Sequence, residues 1–390
     1  NDEIRYHIKS AVAQWLRALK NPTPEEFKLL TKLNTETDKF HSLFKLAALA
    51  PKGWFEQLTS NDWLQENLTQ GGEEQVQDLL WFLSLNAETS QEAVMLVLRR
   101  ALAVKPGIAN KLFPWFDRLH LREPAPELLN LYLELIDQHP QDFLKTNVNK
   151  NLSMPFHGWA ESSPDLCGQL IKKVYSIWCN ENTGEIPFAR DTESIIDSYS
   201  LSEIAKKSPL AFIDGTTEVF IYAVTSVLNT DEFKHRYNFS RRAYSGMNHG
   251  FDEFLSKYRK SMIQLAKKQP DVAKEYLLLL PAKKHECFMH IYLETIAAAP
   301  ESLSYLLSDL IDDELAFEAG FDGAKWLSLA NAYKSSRPYF NDKQSKDIES
   351  HLTSYTPEIL DSFRIYQSVK KSELELWTNK TAIYYLNQSG

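Results

Sequence analysis

At 390 residues the chain is longer than the roughly 250–300 residues that one hydrophobic core usually spans, so it is either two domains or one elongated array. A formal charge of −9 and a pI near 5.7 argue against a non-specific nucleic-acid binder, whose affinity comes from neutralising phosphates with a basic face. With 43% hydrophobic residues, 24% charged residues and only 13 glycines, the composition excludes a disordered chain and suits one dominated by helices.

The opening residues place Ile4, Ile8, Ala11, Trp15 and Leu19 on one helical stripe. Thr23, Pro24, Glu25 and Glu26 then supply an N-cap, a first-turn proline and acids suited to the helix dipole, which predicts a second helix to about Leu33. Further helices are expected near 38–50, 72–85, 90–104, 127–138, 164–178, 191–207 and 216–228, with regular helical packing from Phe251 to about Leu386. No alternating strand pattern occurs, so the predicted fold class is all-α.

Seven prolines carry a common pattern. Pro51, Pro106, Pro164, Pro270 and Pro300 each have small or apolar residues four and five positions before them and three and seven after. For Pro270 these are Leu265, Ala266, Ala273 and Leu277, and for Pro300 they are Thr295, Ile296, Leu303 and Leu307. Pro140 and Pro209 match at three of the four places, with Asn147 and Thr216 at the last. A proline keeps the preceding residue out of the α region and suits the first turn of the next helix, so each pattern describes two helices facing one space. One such pair cannot bury its own apolar face, and the set predicts an α-solenoid-like superhelix of irregular hairpins, HEAT- or TPR-like. The corners are unevenly spaced, which argues against a fixed period. The expected divisions are an N-terminal sub-array over 1–180, an irregular segment over 181–250 and a C-terminal sub-array over 251–390.

Motifs for chemistry are sparse. His285 and His290 are five apart, about 140° around a helix, where a metal-binding pair needs a spacing of four. Asp309, Asp312, Asp313 and Glu314 lack the alternating ligands and central glycine of a calcium loop and read as a solvated helix end. No phosphate loop or serine-hydrolase elbow is present, so no catalytic residue, metal ligand or cofactor is predicted, and the chain as given reads as a non-enzyme. Cys167, Cys179 and Cys287 form no CxxC pair and read as reduced core thiols, and most of the nine tryptophans fall on apolar stripes. No leader or membrane-spanning run stands out, so a cytoplasmic protein with no membrane contact is expected.

Residues 234–249 concentrate interaction chemistry. Arg236, Arg241, Arg242 and His249 alternate there with Tyr237 and Tyr244, a mixture suited to protein hot spots, to nucleic-acid contact, or to holding the loop against acidic helices. These six are the candidate partner-binding residues. The leading expectation is non-catalytic protein–protein recognition. Its rival is a nucleic-acid-binding or hydrolytic all-α protein with a dispersed site.

The stretch RYHIKSAVAQWLRALKNPTPEEFKLL, residues 5–30, followed by the proline-cornered pairs, resembles the helical region that follows the ATPase core in bacterial STAND-type antiviral NTPases of the Avs class. The resemblance covers about thirty residues and carries no invariant motif. It implies a sensor array whose nucleotide-binding and effector domains lie outside this sequence, with a phage protein or adjacent domains of the same polypeptide as partner. A chain that opens on Asn1, with a helical pattern running almost to Gly390, is expected to be a piece of a longer polypeptide.

Overall fold

The computed structural model describes residues 62–117, 125–147, 156–181, 198–228, 250–319 and 327–354, with isolated positions outside these runs. The described elements are helical, no β-strand occurs among the described residues, and the fold is all-α. Contacts divide the chain into two compact units, Asn1–Cys167 with Ile195–Ser200, and Gly168–Ser194 with Leu201–Gly390.

Few of the first sixty positions are described. Thr23 and Glu26 form the reciprocal capping box: the Thr23 N–H donates to Glu26 Oε2 at 2.7 Å, and the Glu26 N–H donates to Thr23 Oγ1 at 3.3 Å. Ala11, expected on the buried stripe of the first helix, is instead exposed, while Trp15 is half-buried. Small size places alanine as readily outside a helix as inside, so it is a poor marker of the buried face.

In the first unit the elements are α1 (Trp63–Gln70), α2 (Glu73–Ala87), α3 (Gln91–Val104), a 3₁₀ turn (Pro106–Ile108), α4 (Ala109–Asp117), α5 (Pro126–Gln138), α6 (Pro140–Asn147) and α7 (Phe156–Ser162). Next come α8 (Pro164–Glu181), α9 (Ser198–Lys207) and α10 (Pro209–Tyr222), which runs into a π-helical stretch, Ala223–Leu228. The second unit continues with α11 (Gly250–Lys268), α12 (Pro270–Leu279), α13 (Glu286–Ala298), α14 (Pro300–Leu303), α15 (Glu314–Glu318), α16 (Leu327–Ser336) and α17 (Asp342–Ser354). The expected helix near 216–228 begins seven residues earlier, at Pro209. There Ser208 accepts the Ala211 N–H at 3.3 Å and the proline occupies the first turn, so capping outweighs the weak helix propensity of Gly215 and two threonines.

Six of the seven proline corners fall among the described residues; Pro51 and its flanking positions lie outside them. At Pro106, Pro140, Pro209, Pro270 and Pro300 the preceding residue has φ between −144° and −133° and ψ between 51° and 89°. That single residue joins two helices. The Gln269 N–H closes the incoming helix on Leu265 O at 2.7 Å, and the Gln269 carbonyl accepts the Ala273 N–H at 3.0 Å. His139, Ser163 and Ser208 bond in the same way, so the chain turns at each without leaving the joining residue's backbone groups unpaired. All four flanking positions are buried at Pro164, Pro209, Pro270 and Pro300. Thr216, one of the two exceptions in the sequence pattern, is buried too because its hydroxyl donates to the Phe212 carbonyl at 2.5 Å.

One corner escaped the pattern. Ser90 has φ −144° and ψ 44°, its N–H bonds Asn86 O, and its carbonyl accepts the Val94 N–H, although Gln91 stands where the other corners carry proline. Ala87, Val94 and Leu98 are buried around it.

Bonds between alternate helices run at a nearly constant separation in the first unit. Arg100 pairs with Asp62 across 38 residues, Lys105 Nζ donates to Thr69 O across 36, Arg99 pairs with Glu134 across 35, and the Ala125 N–H donates to Gln91 Oε1 across 34. The order of these bonds makes α1, α3 and α5 run in one direction, side by side. The layer behind repeats the offset, because Trp115 Nε1 of α4 donates to Leu80 O of α2 at 2.6 Å across 35 residues. Principal packing joins helices one or two places apart in the chain: α1 to α2 and α3, α2 to α3 and α4, α3 to α5, α4 to α5 and α6, and α5 to α6. Phe113, Phe116, Tyr132 and Phe143 form the aromatic core of this unit, with the rings of Phe116 and Tyr132 stacked 4.6 Å apart.

In the second unit α13 lies at the centre, packed on α11, α14, α15 and α16. Cys287 to Leu293, together with Thr295 and Ile296, are all buried, as expected of a helix that is apolar nearly all round. Phe212, Phe220, Phe251, Phe254, Tyr258 and Phe288 fill the adjoining space, and the Thr217 and Tyr258 hydroxyls meet at 2.8 Å. Gly168 of α8 and Gly215 of α10 set a close crossing. A Cβ on Gly215 would lie 2.6 Å from Ile171 Cβ and 2.9 Å from the Gly168 carbonyl.

Candidate functional site

The candidate partner-binding residues Arg236, Tyr237, Arg241, Arg242, Tyr244 and His249 lie outside the described residues. The histidine pair, the acidic run and the three cysteines lie among the described residues.

His285 and His290 do separate jobs. His285 caps α13, its Nδ1 accepting the Cys287 N–H at 3.1 Å. His290, fully buried, has its Nδ1 3.0 Å from Ser328 Oγ on α16. One turn further along α13, Glu294 pairs with Arg259 of α11 at 3.2 Å, so α11, α13 and α16 are joined by a polar seam inside an apolar core. A serine beside a histidine is the raw material of nucleophilic catalysis, but these two are ill suited to it. Burial first and the charge of Arg259 second push the imidazole down to about 3, leaving it neutral and a feeble base. Ser328 is itself only 1% exposed. The seam therefore ties the three helices together through polar contacts.

Among the described residues no group of three or more His, Cys, Asp or Glu side chains is arranged to hold a metal ion. In the acidic run, Asp313 Oδ1 accepts the Leu315 N–H at 3.0 Å and so caps α15, while Asp312 lies 3.2 Å from His351 Nε2. Burial raises the thiols of Cys167 to about 12 and of Cys179 to about 11, so both stay protonated and unreactive at neutral pH. Trp63, Trp115, Trp159 and Trp178 are core residues, and Trp81 is 42% exposed.

The outer face of the first unit is where interaction chemistry gathers among the described residues. Three exposed stripes lie next to each other: Asp62, Glu66 and Gln70 at the start and on the outside of α1; Glu92, Leu96, Arg99, Arg100, Ala103 and Val104 on α3; Glu127, Asn130 and Glu134 on α5. Bridging pairs fasten them, Arg100 to Asp62 and Arg99 to Glu134, the latter bidentate at 2.6 and 3.1 Å. Taken singly in the sequence, these residues look like ordinary solvated helix positions. Their separation of about 35 residues emerges only from the bonds that join them.

No protein-family model, curated protein or solved structure matches the chain.

Proposed function

We propose that the chain is a non-catalytic helical-repeat region, α-solenoid-like in plan, whose role is to recognise another protein. The observation that carries this reading is the recurrence of bonds between alternate, co-directional helices 34–38 residues apart in the first unit, with Arg259 and Glu294 bonded across 35 in the second. Stacked helix pairs generate such an offset and present broad side-chain surfaces, which is how repeat arrays bind partners. No described helix is long and apolar enough to cross a membrane, in keeping with a partner met in solution. On the resemblance of residues 5–30, the partner is a phage protein or neighbouring domains, and the chain is the sensor part of a larger bacterial antiviral NTPase.

Two measurements test the reading. Small-angle scattering should give a radius of gyration well above the roughly 21 Å of a compact chain of this length; a value near 21 Å removes the array. A protein co-purified with the tagged chain should re-form a stoichiometric complex from purified components, whereas association with nucleic acid alone would overturn protein recognition.

A further inference from the structure

The geometry points to the outer face of α1, α3 and α5 as the docking surface, and to a basic amphipathic segment of a partner protein as its occupant. This deepens the protein-recognition reading and rests on it. Leu96 and Val104 are 48% and 62% exposed, on the side of α3 that also carries Glu92, Arg99 and Arg100. They are eight positions apart, about 12 Å along the helix, or a little over two helical turns. Apolar side chains at i and i+7 or i+8 of a partner helix span the same distance, so two anchors can seat at once.

The charges around the anchors select the sign of the partner. Arg99 and Arg100 are held by Glu134 and Asp62, and so are spoken for within the face. Glu66, Glu92 and Glu127 make no ion pair among the described residues. Each is a first-turn residue and favours its own helix dipole, which accounts for its position without neutralising its charge. The offset between bonded residues sets Glu66 beside the Val104 end of α3 and Glu127 beside Glu92, one turn from Leu96. Both anchors thus have carboxylates at their edge. Lys105, next to Val104, holds the Thr69 carbonyl with its ammonium, and against it and the two arginines the face sets five acids, Asp62, Glu66, Glu92, Glu127 and Glu134. A segment with lysine or arginine flanking its two apolar residues would pair with them, and an acidic segment would be repelled.

The test is selection of a random displayed-peptide library on the full chain, followed by fluorescence polarisation of synthetic peptides from the enriched set. Wild type is compared with Glu66→Lys/Glu92→Lys/Glu127→Lys and with Leu96→Ser/Val104→Ser, all folded by circular dichroism. Enriched peptides should be basic with paired apolar residues, and each variant should weaken them by about tenfold or more. Acidic or neutral winners, or equal binding to all three proteins, would overturn this face while leaving protein recognition standing elsewhere on the chain. Self-association of wild type that the Leu96→Ser/Val104→Ser change abolishes would make the face a contact between copies and overturn the basic partner. A library yielding nothing above the bare matrix would count against both readings.

Discussion

At Gly215 a single methyl group meets the backbone and side chain of the neighbouring helix. Its Cβ would need Ile171 to retreat from 2.6 Å and would also press on the Gly168 carbonyl, so α8 and α10 would have to move apart. Gly215→Ala should cost about 1–3 kcal/mol, the usual penalty of overpacking, despite the gain in helix propensity. Chemical denaturation with an unchanged or raised midpoint would show that the crossing is looser than its contacts imply. His290 makes a second prediction at this scale. Its folded value of about 3 lies below the ordinary 6.5, so the unfolded chain binds the extra proton, and stability present above pH 6.5 is lost as pH falls towards 3. The loss attributable to this residue approaches about 1.4 kcal/mol per pH unit inside that window. His290→Asn, which keeps a hydrogen-bonding group near the Nδ1 position, should flatten the dependence of melting temperature on pH between 6.5 and 4; parallel curves would refute the assignment.

Among the elements, the informative comparison is between the corners that have proline and the one at Ser90 that does not. Since Ser90 adopts nearly the same backbone angles with Gln91 after it, burial of the flanking side chains, rather than the proline ring, must hold the corner. Pro270→Ala should therefore cost only about 0.4–1 kcal/mol, through the freedom gained by the unfolded chain. Leu277→Ala, which opens a cavity at a fully buried position, should cost about 2–5 kcal/mol. Urea titrations of both variants decide this, and a larger loss from the proline change would reverse the order of importance.

On the scale of the whole molecule, the division into two compact units implies that damage stays mainly within the unit that carries it. Leu277→Ala should speed amide exchange through α11–α14 and leave α2–α5 close to wild type. Uniform acceleration across both units would mean one cooperative core. What the sequence by itself determined was the helical class and the position of six described corners, because proline sterics and apolar spacing act over a few residues and need no distant partner. The buried place of Thr216 could not be read that way, since its hydroxyl is satisfied only once the helix carbonyl is there to accept it. Corner spacing also concealed the offset of about 35 residues: one corner has no proline, and the bonds that reveal the offset join residues that look unremarkable one at a time. Arg99, Arg100, Leu96 and Glu66 became a surface only when α1, α3 and α5 were laid side by side, because adjacency between helices is set by the burial of their opposite faces and not by anything the exposed residues do.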